Sequence, residues 1–128
     1  MGTKNNYPSI ICIYSDNYGQ VLHKLGRHKD ARRIFYKGLA ASKKAGDKHS
    51  YAYNLARLAN MELDENNFKI AEAYAAQSYE NSVTDSIRDT KAMSQLVLAE
   101  ITRRYHNNNQ KALDYCLAVL EESSDGDL

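Results

Sequence analysis

The fold is decided by residues 17–40, which read NYGQVLHKLGRHKDARRIFYKGLA. The stretch reaches a turn signal at Gly26, and small or apolar residues then recur at fixed intervals. These residues are Ala31, Ile34, Phe35, Gly38 and Leu39. Their offsets of 0, 3, 4, 7 and 8 describe one face of an α-helix and do not fit a strand. The stretch therefore predicts two helices joined by a tight turn.

The same pattern occurs three times along the chain. A small residue stands in the first helix of each unit, and an alanine opens the second helix. The first set is Gly19, Ala59 and Ala99, and the second is Ala31, Ala71 and Ala112. The second helices repeat the stripe as Ala71, Tyr74, Ala75, Ser78, Tyr79 and as Ala112, Tyr115, Cys116, Val119, Leu120. Spacings of 40 and 40, then 40 and 41, predict stacked helical hairpins whose backbones approach closely at the small residues.

Turn signals divide the 128 residues into six helices, which we predict at 7–25, 28–45, 48–65, 68–82, 86–106 and 110–123. Gly26, Asn66-Asn67 and Asn107–Asn109 suit the left-handed turns inside the hairpins. Gly46-Asp47 predicts a stop and a cap, and residues 84–86 offer a cap for the fifth helix. We expect a tail at 1–6, one domain at 7–124 with repeats at about 10–45, 48–83 and 86–123, and an acidic tail at 125–128.

These units resemble the tetratricopeptide repeat, with its large–small pair, its turn, and an alanine followed by an aromatic residue. The second unit keeps Leu58, Ala59, Phe68, Ala71 and Tyr74, and the third keeps Leu98, Ala99, Ala112 and Tyr115. Glu62 departs from the pattern, and the third turn carries one extra residue. The resemblance implies an all-α solenoid of three antiparallel hairpins in a right-handed superhelix. The 40-residue period is similar to that of bacterial peptide-sensing regulators.

The resemblance also implies a binding surface, because the first helices of such arrays line the concave side. By position, the predicted site residues are Asp16, Gln20, His23, Lys24, Tyr53, Asn60, Leu63, Asp64, Leu96, Glu100, Arg103 and Arg104. Gln20 and Asn60 can each donate to and accept from a peptide backbone. Tyr53, Leu63 and Leu96 would supply apolar pockets, and Arg103 could pair with a carboxylate. The expected function is non-catalytic binding of a peptide or protein partner.

Charge and composition narrow the choices further. The net charge is +1, but residues 20–48 carry +7 and the remainder carries −6. The basic region 24–48 leaves nucleic-acid contact open as a less favoured function. No apolar stretch approaches the ~20 residues of a membrane helix, and we expect no signal peptide and a cytoplasmic location. Cys12 and Cys116 are expected to be reduced and partly buried.

Signals for catalysis, cofactors or metals are weak, so we predict that the protein is not an enzyme and binds no cofactor or metal. His23 and His28 are five residues apart, do not share a helix face, and straddle Gly26. No glycine-rich phosphate loop is present. Two further interpretations stay open: a homodimer through the uncapped third hairpin, whose Tyr115, Val119 and Leu120 would lack a covering neighbour, and a sensor fragment of a larger regulator.

Overall fold

The computed structural model describes the backbone of residues 6–127 and the side chains of residues 13–122. Within this range the chain forms six α-helices: α1 (Asn6–Lys24), α2 (His28–Ala45), α3 (Lys48–Asp64), α4 (Phe68–Thr84), α5 (Arg88–Arg104) and α6 (Asn109–Asp127). The predicted bounds are correct to within two residues except at the end of α6, which continues into the expected acidic tail. The prediction for Cys12 lies outside the described side chains.

The order of helix packing defines the architecture. Each helix packs against the next along the chain, and α1 also packs against α3 and α3 against α5. The odd-numbered helices therefore lie side by side on one face, while α2 and α4 lie on the other. This arrangement confirms the predicted all-α solenoid of stacked hairpins.

Each of the five turns contains one residue with a positive φ. These residues are Gly26 (φ 81°), Gly46 (71°), Asn66 (64°), Ser86 (57°) and Asn107 (54°). The first four lie 20 residues apart, so each 40-residue unit consists of two helix-plus-turn halves of equal length. The last interval is 21 residues, because four residues separate α5 from α6 whereas three separate α1 from α2.

Backbone hydrogen bonds close the first four of these turns in one recurring way. The amide after the left-handed residue bonds back five positions, as in Arg27 N to Leu22 O (2.9 Å) and Ile87 N to Ser82 O (2.8 Å). This is the Schellman pattern, which satisfies carbonyls at a helix end. Asp47 caps α3 as predicted, accepting from the Ser50 amide at 3.1 Å. The cap predicted at residues 84–86 is wrong, since Ser86 takes the left-handed position and Ile87 precedes α5 without a side-chain cap.

The small residues stand where helices meet, as the repeat pattern predicts. A Cβ placed on Gly19 would lie 2.6 Å from Phe35 Cζ, which is too close for any real contact. Phe35 itself is 2% exposed and belongs to a core cluster with Leu22 and Leu58. Glycine at position 19 therefore makes room for the aromatic ring of α2.

A buried ion pair joins the first hairpin to the second. Glu62 is 2% exposed, and its carboxylate accepts from Arg32 Nε at 2.8 Å and Arg32 Nη2 at 3.2 Å. Asn67 Nδ2 donates a third bond at 2.8 Å. Burial by itself would raise the pKa of Glu62, but these hydrogen bonds and the Arg32 charge outweigh it and lower the pKa. The departure from the repeat pattern at Glu62 thus has a structural purpose.

The outer side of α6 is poorly covered. Leu113, Leu117 and Leu120 are 49%, 49% and 63% exposed. Cys116 is exposed, so its predicted partial burial is wrong. The stripe of the third hairpin, unlike that of α2 and α4, is covered only in part because α6 packs against α5 and no further hairpin follows it in the described chain.

Candidate partner-binding face

The α1–α3–α5 face carries a cleft of about 180 Å³ between α1 and α3. The face takes its name from the three odd-numbered helices, and the cleft lies in the first two hairpins. The residues that line it are Gln20, His23, Lys24, Phe35, Arg57, Asn60, Met61 and Asp64. Five of the predicted site residues are therefore brought together: Gln20, His23, Lys24, Asn60 and Asp64.

The polar side chains in this cleft fall into two kinds. His23 is fixed, with Nε2 lying 3.0 Å from Asp64 Oδ2. By contrast, Gln20, Lys24 and Asn60 make no side-chain hydrogen bond to any other residue that the structure describes. Lys24 is exposed, and Gln20 and Asn60 are half-buried. The cleft thus offers amide donors and acceptors and one cation to an incoming chain.

Next to the cleft, three side chains form a closed network across α1 and α3. The Tyr53 hydroxyl donates to Asp16 Oδ2 at 2.9 Å, and Arg57 Nε lies 2.7 Å from Asp16 Oδ1. Arg57 Nη2 also donates to the Tyr53 oxygen at 2.8 Å. Burial, reinforced by the hydrogen bond to Asp16, raises the pKa of Tyr53 and keeps it a donor. Asp16 and Tyr53 are therefore engaged with each other and with Arg57.

Arg57 is a residue that sequence reasoning missed, and Leu63 is one that it misplaced. Leu63 is only 6% exposed and packs in the core cluster of the second and third hairpins, so it cannot form an apolar pocket for a partner. The accessible stripe of α3 is instead Tyr53, Arg57, Asn60 and Asp64, at offsets 0, 4, 7 and 11. Arg57 lies four residues after Tyr53, about one helical turn along the same face, and this spacing would have identified it.

The predicted residues of the third unit form a second group on α5. Leu96 is 49% exposed. Arg103 Nη2 lies 2.6 Å from Glu100 Oε2, so the carboxylate expected to come from a partner is already supplied by the chain itself. Arg104 donates to Asn66 Oδ1 at 2.6 Å and lies over the Phe68 ring, 5.0 Å from its centroid. These contacts tie α5 to the turn between α3 and α4.

Two histidines that the spacing kept apart are brought together by the first turn. His23 Nδ1 lies 3.0 Å from His28 Nδ1, and the ring centroids are 4.9 Å apart. They lie on different helices, as predicted, but the turn at Gly26 folds the start of α2 back against the end of α1 and brings the two rings into contact.

A larger depression of about 540 Å³ lies elsewhere, between the turns that join successive hairpins. Lys48, His49 and residues 85–89 line it, and Lys48 Nζ lies 3.7 Å from Asp85 Oδ1. None of the predicted site residues contributes to it. Its position at the inter-hairpin turns separates it from the α1–α3–α5 face.

The helix packing, the turns and the cleft together define a helical-repeat protein. The first helices of its hairpins lie side by side and present a polar face. A family model described as the tetratricopeptide repeat matches residues 9–82, and the chain belongs to this family. Repeats of this family mediate protein–protein interaction. No curated protein and no solved structure is significantly similar to the chain. Among the helices of the described residues, none combines the length and the apolar character that a membrane crossing requires.

Proposed function

We propose that this chain is a non-catalytic scaffold that binds a peptide or a protein segment along the α1–α3–α5 face, which would form the concave side of the array. The observation that carries the proposal is the cleft between α1 and α3, where Gln20, Lys24 and Asn60 have no partner among the described residues. Backbone amides of an extended segment need both donors and acceptors, and the two carboxamides supply both.

The rest of the face favours docking without rearrangement. The network of Asp16, Tyr53 and Arg57 and the pair of His23 and Asp64 hold α1 against α3 on either side of the free carboxamides. A preformed surface loses little conformational entropy on binding, which leaves more of the contact energy for affinity. The free Lys24 ammonium further favours a segment with an acidic residue at that end of the cleft.

The experiment compares a double variant with a matched control. Gln20→Ala with Asn60→Ala removes both carboxamides from the cleft, whereas Gln77→Ala removes an exposed carboxamide from α4 on the other face. Proteins recovered from the native cell with the wild-type chain should be retained by the control and lost by the double variant. With the purified partner, calorimetry should show roughly tenfold weaker binding for each lost carboxamide.

Equal recovery by all three chains would refute the proposed face. Loss of binding in the control as well would show that the substitutions act by disturbing the fold. The helical content of all three chains is therefore compared by circular dichroism before binding is measured. If a partner were retained by the double variant but lost when Leu96 is changed to Ala, the contact would lie on α5 and the cleft would be excluded.

Self-association is a second candidate, favoured by the exposed leucines of α6. Leu113, Leu117 and Leu120 follow offsets of 0, 4 and 7 and so share one helix face. Two such faces could cover each other in a homodimer. Light scattering over a concentration series should then show a dimer that Leu117→Glu dissociates, and a monomer at all concentrations would exclude it.

Nucleic-acid contact and a sensor role are supported by fewer of the described residues. Four of the nine basic side chains in 24–48 are already ion-paired, namely Arg27, Arg32, Arg33 and Lys48, which weakens the field available to a nucleic acid. A role as the sensor part of a peptide-responsive regulator would use the same cleft, and the 40-residue period supports it. We further propose a cytoplasmic location, in keeping with the free Cys116.

A further inference from the structure

We propose that His23, His28 and Glu65 form a site for a divalent transition-metal ion, with Zn²⁺ as the best fit, at the junction of the first two hairpins. Their ligand atoms all lie within 4.8 Å of one another. His23 Nδ1 and His28 Nδ1 are 3.0 Å apart, and His28 Nδ1 is 3.2 Å from Glu65 Oε2. His23 also lines the cleft, but the metal binding proposed here does not depend on a partner being bound there.

The three residues come from three different helix ends, each fixed by its own turn. His23 lies in the last turn of α1, His28 opens α2, and Glu65 follows the end of α3. The turns at Gly26 and Asn66 both take a left-handed residue, which orients the two helix ends towards each other. A bound ion would therefore join the first hairpin to the second as well as α1 to α2.

The donor set matches the preference of zinc. Two imidazole nitrogens and one carboxylate oxygen form a common three-ligand set, with the fourth position left to water or another ligand. Two nitrogens about 2.1 Å from a tetrahedral Zn²⁺ are about 3.4 Å apart. The observed 3.0 Å needs only a small rotation of the half-buried His28 ring to reach this value.

A second carboxylate orients the first ligand. His23 Nε2 lies 3.0 Å from Asp64 Oδ2, so in the neutral ring the proton is held on Nε2 and the lone pair of Nδ1 faces the other two ligands. Metal-binding histidines commonly have such a carboxylate on the remote nitrogen. Asp64 is therefore a positioning residue for the ion, although its own oxygens are not ligands.

The Oε2 atom of Glu65 also faces the cluster, 3.2 Å from His28 Nδ1. It is shielded from solvent, while Oε1 lies 3.5 Å from Arg32 Nη2. The Arg32 charge is balanced mainly by Glu62, which limits its repulsion of a cation.

The test is titration of the metal-stripped full chain with Zn²⁺ by calorimetry, with Mg²⁺ as the negative control ion. We expect one Zn²⁺ per chain and no Mg²⁺ binding. His28→Gln and Glu65→Gln should each abolish the stoichiometric heat, and Asp64→Asn should weaken binding by about 10- to 100-fold. At a hundred times its dissociation constant, Zn²⁺ should raise the Tm of the wild-type chain by about 10 °C.

The matched control is His106→Gln. His106 Nε2 pairs with Glu72 Oε2 at 2.9 Å, and the side chain is 44% exposed against 40% for His28, but only one carboxylate faces it. This variant should bind Zn²⁺ like the wild type. Zn²⁺ binding that survives both His28→Gln and Glu65→Gln, binding lost equally in the control, or no binding at all would each overturn the proposal.

Discussion

Removal of Arg32 should destabilise the chain far more than an ordinary surface arginine would. In an Arg32→Met variant the carboxylate of Glu62, only 2% exposed, keeps the hydrogen bond from Asn67 but loses two bonds from the guanidinium and its charge. Breaking a buried ion pair by removing one partner costs about 3–5 kcal/mol. Because the Arg32 side chain is 27% exposed, we expect the lower end, about 3 kcal/mol, or a Tm lower by about 10 °C.

The pH dependence gives this prediction a clear sign. The pKa of Glu62 is lowered in the wild type, so its contribution is present at neutral pH and is lost as the pH falls below its ordinary value. Without Arg32, burial should raise the pKa of Glu62, and protonation of the carboxylate then removes the cost of burying its charge. The difference in stability between variant and wild type should therefore shrink as the pH falls from 7 to 4.

Thermal and guanidinium unfolding followed by circular dichroism at several pH values measures both effects. The control is Arg33→Met, since Arg33 pairs with Asp30 at 2.8 Å but is 68% exposed and should cost less than about 1 kcal/mol. A cost for Arg32→Met no larger than that of the control, or one that does not change with pH, would refute the reasoning.

Three further predictions concern the core, a cap and a tyrosine pair. Gly19→Ala should cost about 1–3 kcal/mol, because its Cβ would stand 2.6 Å from Phe35 Cζ, and the cost should shrink in the background of Phe35→Leu; a neutral single variant would contradict the close approach. Asp47→Ala should cost about 0.5–2 kcal/mol in chemical unfolding by removing the cap of α3, whereas Lys44→Ala nearby should be neutral. Burial, with the 2.6 Å hydrogen bond to Tyr36, raises the pKa of Tyr74 above the ordinary 10, so the unfolded chain ionises first and stability should fall as the pH rises past that value. The loss should be smaller in Tyr36→Phe, and an identical profile would contradict the role of the pair.

Most of the fold could be predicted because one pattern recurs at a constant interval. The stripes of Ala31 and Ala71 identified α2 and α4, and the small residue at Gly19 identified a close contact between α1 and α2. On α6 the stripe correctly predicted a helix, but the burial it implied is wrong for Cys116 and Leu120, which are exposed. Burial of these residues depends on a neighbouring helix and not on the helix that carries them.

The binding face was harder to predict because a first helix is surrounded on most sides. Helix α3 contacts α1, α2, α4 and α5. Of two consecutive residues on α3, one can therefore face the cleft and the other the next hairpin. The consecutive residues Leu63 and Asp64 show this most directly: the first is 6% exposed in the core, and the second is exposed beside His23. The contact between His23 and His28 depends on the path of a turn, which helical periodicity does not describe.

The equal spacing of the left-handed residues restricts how this gene can change in length. One codon added within a helix would rotate every later side chain of that helix by about 100° relative to the earlier part. In α4, for example, this would turn the alanine face of Ala71 towards water. The extra residue of the third unit lies among the asparagines instead, where Asn108 N reaches back six positions to Thr102 O at 3.0 Å and α6 still begins in phase. Insertions and deletions that preserve the protein should therefore be confined to the joints near residues 26, 46, 66, 86 and 107.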